Sequence, residues 1–228
     1  MIKARVYVAG LALTVASAAH AGLSVTPTVV SDYDFRGISQ TTEDPALQLG
    51  VDYATDSGLH LGVWGSNIDW GSSYDGDVEV DLIADYTLGS DETVKVNVGV
   101  VDYMYPGMTD QNTAEFWATI MKSYFSGSIR YSNDWFQLGE AFYYELNGTF
   151  PVGETGFNVL AHVGYSDGEA WDSIEYTDYS IGVSKGFGNF TGTLKLVSSD
   201  APESSTPVFS TDDRVILSIS TTLPWAKE

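Results

Sequence analysis

The sequence predicts an all-β fold: a transmembrane antiparallel up-and-down barrel of about twelve strands, with short periplasmic turns and longer extracellular loops. Three observations lead there. Apolar and polar residues alternate along segments close to the roughly nine to eleven residues that a tilted strand needs to cross a bilayer. The connections between these segments are short and long in turn. Beyond residue 21, no stretch approaches about eighteen consecutive apolar residues, so a chain entering a membrane would enter as strands.

The chain opens on a leader. Lys3 and Arg5 precede an apolar run from Val6 to Ala16, and Ala19-His20-Ala21 offers a small-residue cleavage site. Residues 1–21 therefore read as a secretory signal peptide cut near Ala21, leaving 22–228 as a single outer-membrane barrel domain.

The first strand places Leu23, Val25, Pro27, Val29, Tyr33 and Phe35 on one face and Ser24, Thr26, Thr28, Asp32, Asp34 and Arg36 on the other. It is expected to run as far as Arg36, with a loop from Gly37 to Asp44. The second, Pro45 to Ala54, sets Leu47, Leu49, Val51 and Tyr53 against Gln48, Gly50 and Asp52. The third, Leu59 to Asn67, sets Leu61 and Val63 against His60, Gly62, Trp64 and Ser66. Asp77 to Leu88 alternates most strongly, with Val78, Val80, Leu82, Ala84, Tyr86 and Leu88 opposite Glu79, Asp81, Ile83 and Asp85. Val94 to Val101 has Lys95, Asn97 and Gly99 on its polar side, and Glu115 to Ile120 has Glu115, Trp117 and Thr119.

Phe125 to Ser132 and Gly139 to Asn147 alternate more weakly and are joined by a short connection near Asn133 to Phe136. Phe157 to Tyr165 points His162 inward, and Asp178 to Ser184 does the same with Asp178. Phe190 to Leu196 carries Lys195 on its polar face, and the last strand, Arg214 to Leu223, carries Arg214. Twelve is even, as a closed single-chain barrel requires. Aromatic residues fall near both ends: Tyr33, Phe35, Tyr103, Tyr105, Tyr131, Trp135 and Tyr165 by the long loops, and Tyr53, Tyr86, Phe125, Phe150, Phe187, Phe190 and Trp225 by the short turns. Two interfacial girdles are the expectation.

A secreted soluble barrel would alternate as cleanly, so the chemistry of the polar face decides. That face carries Gly50, Gly62, Gly99, Gly164 and Gly182 among scattered charges rather than the dense Lys and Glu of a wet exterior. Small residues suit a crowded interior. The chain holds no cysteine and has a net charge of −21. Nucleic acid is thereby excluded as a partner, since phosphate binding draws on clustered Lys and Arg.

The run Ser31-Asp32-Tyr33-Asp34-Phe35-Arg36-Gly37-Ile38-Ser39-Gln40-Thr41, followed by Pro45-Ala46-Leu47-Gln48, resembles the TorF family of proteobacterial porins. Trp64-Gly65-Ser66-Asn67-Ile68-Asp69, Tyr103-Met104-Tyr105-Pro106-Gly107, Tyr131-Ser132-Asn133-Asp134 and Ala161-His162-Val163-Gly164-Tyr165 agree with it. The resemblance implies an outer-membrane barrel that conducts small solutes, with lipid, lipopolysaccharide and the barrel insertion machinery as partners. The chain departs at its end, where Trp225 is followed by Ala226-Lys227-Glu228 instead of closing on an aromatic residue.

A twelve-stranded barrel leaves at most a narrow channel, and narrow pores select by charge and diameter. The candidate lining is Asp52, His60, Glu79, Asp81, Asp85, Glu115, Glu145, His162 and Asp178, opposed by Lys95, Arg130, Lys195 and Arg214. Such a lumen would prefer cations mildly, unless the charges pair across it as structure. Arg36 is the candidate at the pore mouth, either overhanging it or pairing with Asp34 or another carboxylate. Asp52 and His60 should face each other across the first tight turn. No elbow motif singles out a serine nucleophile, so lipid hydrolysis ranks well below passive diffusion, and a closed barrel acting through its loops as an adhesin or receptor is the main alternative. The motifs call for no cofactor and no metal. The acidic long loops, including Asp167, Glu169, Asp172 and Glu175, read as solvated surface.

Overall fold

The computed structural model describes residues 22–90, 93–171, 174–202 and 208–225. The expected leader and the expected cleavage near Ala21, Asp172, and the residues Ala226-Lys227-Glu228 lie outside the described residues. In chain order the strands are β1 (Gly22–Val30), β2 (Asp34–Phe35), β3 (Ile38–Ser39), β4 (Ala46–Ala54), β5 (Leu59–Asn67), β6 (Val78–Leu88) and β7 (Lys95–Met104). They continue with β8 (Thr113–Lys122), β9 (Phe125–Ser132), β10 (Ala141–Pro151), β11 (Phe157–Asp167), β12 (Tyr176–Phe187), β13 (Phe190–Ser199) and β14 (Arg214–Thr221). Single 3₁₀ turns, Thr109–Gln111 and Glu169–Trp171, sit in two of the long loops.

β1 and β4 to β14 form a closed twelve-stranded barrel in which each strand pairs with its neighbours in sequence, and β2 and β3 form a separate two-stranded ribbon. Every pairing is antiparallel; β1 closes on β14 through Thr28↔Ser220, Val29↔Ile219 and Val30↔Ser218. Closure removes the open edges whose unpaired N–H and C=O groups a bilayer would not solvate.

Alternation sorts the side chains as the sequence predicts. Leu47, Leu82, Phe116, Ile120, Leu146, Ile181, Leu196 and Val215 stand exposed on the outer wall, while Glu79, Asp81, Asn97, Glu115, Asp178 and Thr193 are buried inside. Inward glycines leave space for large neighbours. A Cβ on Gly99 would lie 2.3 Å from the Trp117 ring, and one on Gly164 2.0 Å from the Tyr143 hydroxyl.

Three expectations fail at the long-loop end. The first strand does not continue to Arg36. It stops at Val30, the Ser31 N–H bonds to the Leu217 carbonyl, and the chain then leaves the wall and turns into the barrel. The connection after β9 spans residues 133–140 rather than Asn133 to Phe136, with Phe136, Gln137 and Gly139 at positive φ. The extra length lets Trp135 and Phe136 fold inward. As a result, the aromatics assigned to a long-loop girdle are mostly interior: Tyr33, Tyr103, Tyr105 and Trp135 are buried in the main apolar cluster, with Phe35 packed on it. Tyr165 does face outward, as does Tyr144. At the short-turn end the expected girdle stands, with Tyr53, Tyr86, Phe125, Phe187, Phe190 and Trp225 exposed on the wall.

Candidate functional site

The interior is organised by the segment 31–41, which folds into the lumen as a hairpin. Asp34 pairs with Ser39 and Phe35 with Ile38, leaving Arg36-Gly37 as a two-residue loop. Both loop residues have positive φ, +53° and +81°, as a type I′ turn demands. The tip is wedged against the wall. A Cβ on Gly37 would meet the Cβ atoms of Ser199 and Asp178 at 2.8 and 2.9 Å, so only glycine fits at this approach.

The base of the hairpin is held by polar contacts. Ser39 Oγ donates to Asp32 Oδ1 at 2.6 Å, the Ser39 N–H to the Ser210 carbonyl at 2.8 Å, and Trp70 Nε1 to Gln40 Oε1 at 3.0 Å. Arg214 gathers both hairpin acids: its Nε lies 2.8 Å from Asp32 Oδ2, and its Nη2 bonds the Asp34 carboxylate. Burial raises the Asp34 pKa above the usual carboxylate range, with Arg214 opposing that shift.

Arg36 does not overhang the mouth and does not pair with Asp34. Its Nη2 donates to Glu115 Oε2 at 2.5 Å, and its guanidinium lies 4.0 Å from the centre of the Tyr143 ring and 4.7 Å from that of Phe35. Burial alone would lower its pKa, but the Glu115 carboxylate outweighs this and holds it above its ordinary value. The chain of charge continues along the wall. Arg130 reaches Glu115 through Nη1 at 3.3 Å and Glu145 through Nε at 3.1 Å, and Tyr103 donates to Glu115 at 3.2 Å.

Nearer the short turns lie two histidine clusters. His60 Nδ1 is 2.6 Å from Asp85 and its Nε2 3.0 Å from Asp52, so the Asp52–His60 juxtaposition expected across the first turn is present, with Asp85 added from β6. Asn97 donates to Asp85 at 2.7 Å and accepts from Trp117 Nε1 at 2.5 Å. His162 sits between Asn147 Oδ1 at 2.7 Å and Asp178 Oδ1 at 2.8 Å, with the Tyr143 hydroxyl 3.1 Å away. Neither ring meets a serine in these contacts.

Beside and beneath the hairpin, a water-accessible cavity of ≈ 290 Å³ is lined by Thr26, Thr28, Gln48, Trp64, Ser218 and Ser220. Of the candidate lining residues, Arg36, Asp52, His60, Asp81, Arg130, Glu145, His162, Asp178 and Lys195 border this space. Glu79, Asp85, Lys95, Glu115 and Arg214 lie outside this particular cavity. Glu79, Glu115 and Arg214 are held in contacts with the hairpin, Asp85 lies under His60, and Lys95 begins β7 at the short-turn end. Among the described residues, Lys195 has no hydrogen bond or ion pair and faces the cavity.

Sequence reasoning missed the interior roles of Asp32, Tyr33, Asp34 and Tyr143. One local signal was present, Arg36-Gly37 between residues able to pair, but it is weaker than the Asn-Gly or Asp-Gly that marks most two-residue hairpin loops.

Above the hairpin the long loops pack into an aromatic lid. The Trp70 ring has its centre 4.6 Å from that of Tyr105, 5.5 Å from Phe209 and 6.0 Å from Phe136.

Comparison with known proteins adds a family and a fold. The chain belongs to the Gcw_chp family, described as bacterial protein of unknown function, whose model matches residues 15–223. No curated protein matches the sequence. Among solved structures, the KdgM porin is similar at a TM-score of 0.57 with 9% identity, covering 89% of this chain and 99% of that one. The NanC porin aligns at 0.54 with 9% identity, over 88% and 98% of the two chains. An outer membrane channel from Pseudomonas putida F1 aligns at 0.54 with 12% identity, over 89% and 94%. At such identities the likeness is one of fold: a closed twelve-stranded barrel of the outer-membrane porin type.

Proposed function

For this member of the Gcw_chp family we propose a passive, porin-like channel of the outer membrane, constricted from within by the hairpin of residues 31–41. One observation carries the reading: the hairpin fills part of a closed barrel and leaves beside and beneath it a water-accessible cavity of ≈ 290 Å³ lined by charged, polar and apolar side chains. The similarity in fold to outer-membrane porins supports the location, and the sequence resemblance to TorF-family porins agrees with it. One similar structure is a KdgM porin in complex with disordered oligogalacturonate. Here the solutes are inorganic ions and small polar molecules, because the space beside the hairpin is narrow and its carboxylates, Asp32, Asp34, Asp52, Asp81, Glu145 and Asp178, outnumber its fixed cations, Arg36, Arg130 and Lys195. Mild cation preference follows.

A second reading has its own observation. Aromatic rings of the long loops pack around Trp70 above the hairpin, as a barrel that works through ordered surface loops would require. Single-channel recording of the refolded chain in a planar bilayer under a salt gradient separates the two. Small discrete openings with a cation-selective reversal potential support the channel. A folded barrel that passes no current supports the closed one.

A further inference from the structure

Glu79 and Asp81 stand out among the interior acids. They are two apart on β6, point to the same side, and are each 2% exposed. Their side chains are next to each other on that inner face. Among the described residues neither pairs with a lysine, arginine or histidine, whereas Glu115, Glu145, Asp32, Asp34 and Asp85 all do. Asp81 Oδ1 is buried with no hydrogen-bond partner at all.

Among the described residues, the cations nearest the pair are committed to other carboxylates: Arg36 and Arg130 hold Glu115. From the hairpin base comes Tyr33, whose hydroxyl donates to Glu79 Oε1 at 3.3 Å. From β7 and the loop after it come Tyr103, opposite Asp81 in register, and Tyr105, with Asp102 on the outer face behind them, and from β8 comes Glu115, whose own charge is met by Arg36 of the hairpin and Arg130 of β9. From β5 come the uncharged Trp64 and Ser66. Burial pushes the Tyr33 and Tyr105 phenols well above their ordinary range, and the neighbouring Glu79 pushes them further, so both stay protonated as donors. Two bare carboxylates side by side, each almost wholly withdrawn from solvent and with no cation bonded to either, would repel each other and be left poorly compensated for desolvation.

We infer that Glu79 and Asp81 share one proton at neutral pH, and that this proton latches the hairpin of residues 31–41 into the lumen through Tyr33. The carboxylic acid of one residue donates to the carboxylate of the other, and the single negative charge is met by the Tyr33 and Tyr105 hydroxyls. When the hairpin lifts, water enters, the second carboxyl ionises, and one proton leaves to solvent. Linkage then makes lifting easier by about tenfold per pH unit, between the open-state and closed-state titrations of the pair.

Two measurements on the folded chain in detergent test this, and neither needs an open pore, so the latch and the channel reading can fail separately. Infrared difference spectra across pH should show a protonated carboxyl at neutral pH that is lost on alkalinisation, and lost at neutral pH in Glu79→Gln and in Asp81→Asn. Hydrogen exchange at amides 31–41 should accelerate with pH by up to about tenfold per unit beyond the chemical trend in the wild type. In Glu79→Gln, whose amide donates to Asp81 without a titrating proton, that excess should vanish. A wild type with no protonated carboxyl at neutral pH overturns the shared proton. A protonated carboxyl whose loss leaves the hairpin amides as protected as before overturns the latch. Should a variant fail to fold, the two wild-type titrations decide by themselves.

Discussion

Arg36 is the residue on which the interior turns. It holds an uncommon positive φ for a side chain with a Cβ, and the Glu115 ion pair and the Tyr143 ring keep it there. Removing it takes a cation out of the constriction and leaves Glu115 with Arg130 and the Tyr103 hydroxyl. Arg36→Ala is therefore expected to raise single-channel conductance and shift the reversal potential toward stronger cation preference. Unchanged current would place the conducting path away from the hairpin tip. Gly99 makes a separate point about packing. Its missing side chain is the space that Trp117 occupies, and Trp117 in turn ties Asn97 to Asp85. Gly99→Ala should cost about 1–3 kcal/mol through overpacking, seen as a lower temperature for the heat-induced gel shift of the folded barrel.

The hairpin is an element added to a barrel that does not need it for closure. β1 and β4 on either side of it pair without interruption from Gly22↔Ala54 to Val30↔Ala46. Replacing residues 32–40 with a short Gly-Ser turn should leave a folded, heat-modifiable barrel with larger conductance, and loss of folding would show that the hairpin builds the wall as well as filling it. Gly37→Val is the milder form of the same experiment. It puts a β-branched side chain at φ +81° and into Ser199 and Asp178, so the tip should be displaced with an effect on current in the same direction. The hairpin also marks how far a local pattern can be followed. Alternation continues through Asp32, Asp34 and Arg36 as though the strand went on, and the side chains do point inward. What changes is the backbone, which leaves the wall because Ser39, Thr41 and Arg214 offer Asp32 and Asp34 partners inside.

For the whole molecule, the outer surface is the most direct test of what surrounds the barrel. Leu82 stands at the middle of β6 and Leu88 at its short-turn end, both facing outward and exposed. In a bilayer Leu82→Arg should destabilise by about 2–4 kcal/mol and Leu88→Arg by only about 0–1 kcal/mol, whereas in water both would be close to neutral. Denaturant titrations in lipid vesicles measure the difference.

The sequence by itself determined the barrel: its strand number, which face of each strand is apolar, and which end carries the long loops. Side chains alternate along a strand whatever its neighbours are, so a period of two is written locally and can be read locally. The interior was decided only by the tertiary structure. Arg36 meets Glu115 from 79 positions away and Arg214 meets Asp34 from 180, and no spacing along the chain encodes either contact. The same holds for the aromatic residues near the long loops, whose sequence positions fit a membrane girdle and an internal lid equally well. Which of the two forms depends on where the loops fold, and that is set by burial of apolar rings and pairing of charges that meet only once the barrel has closed.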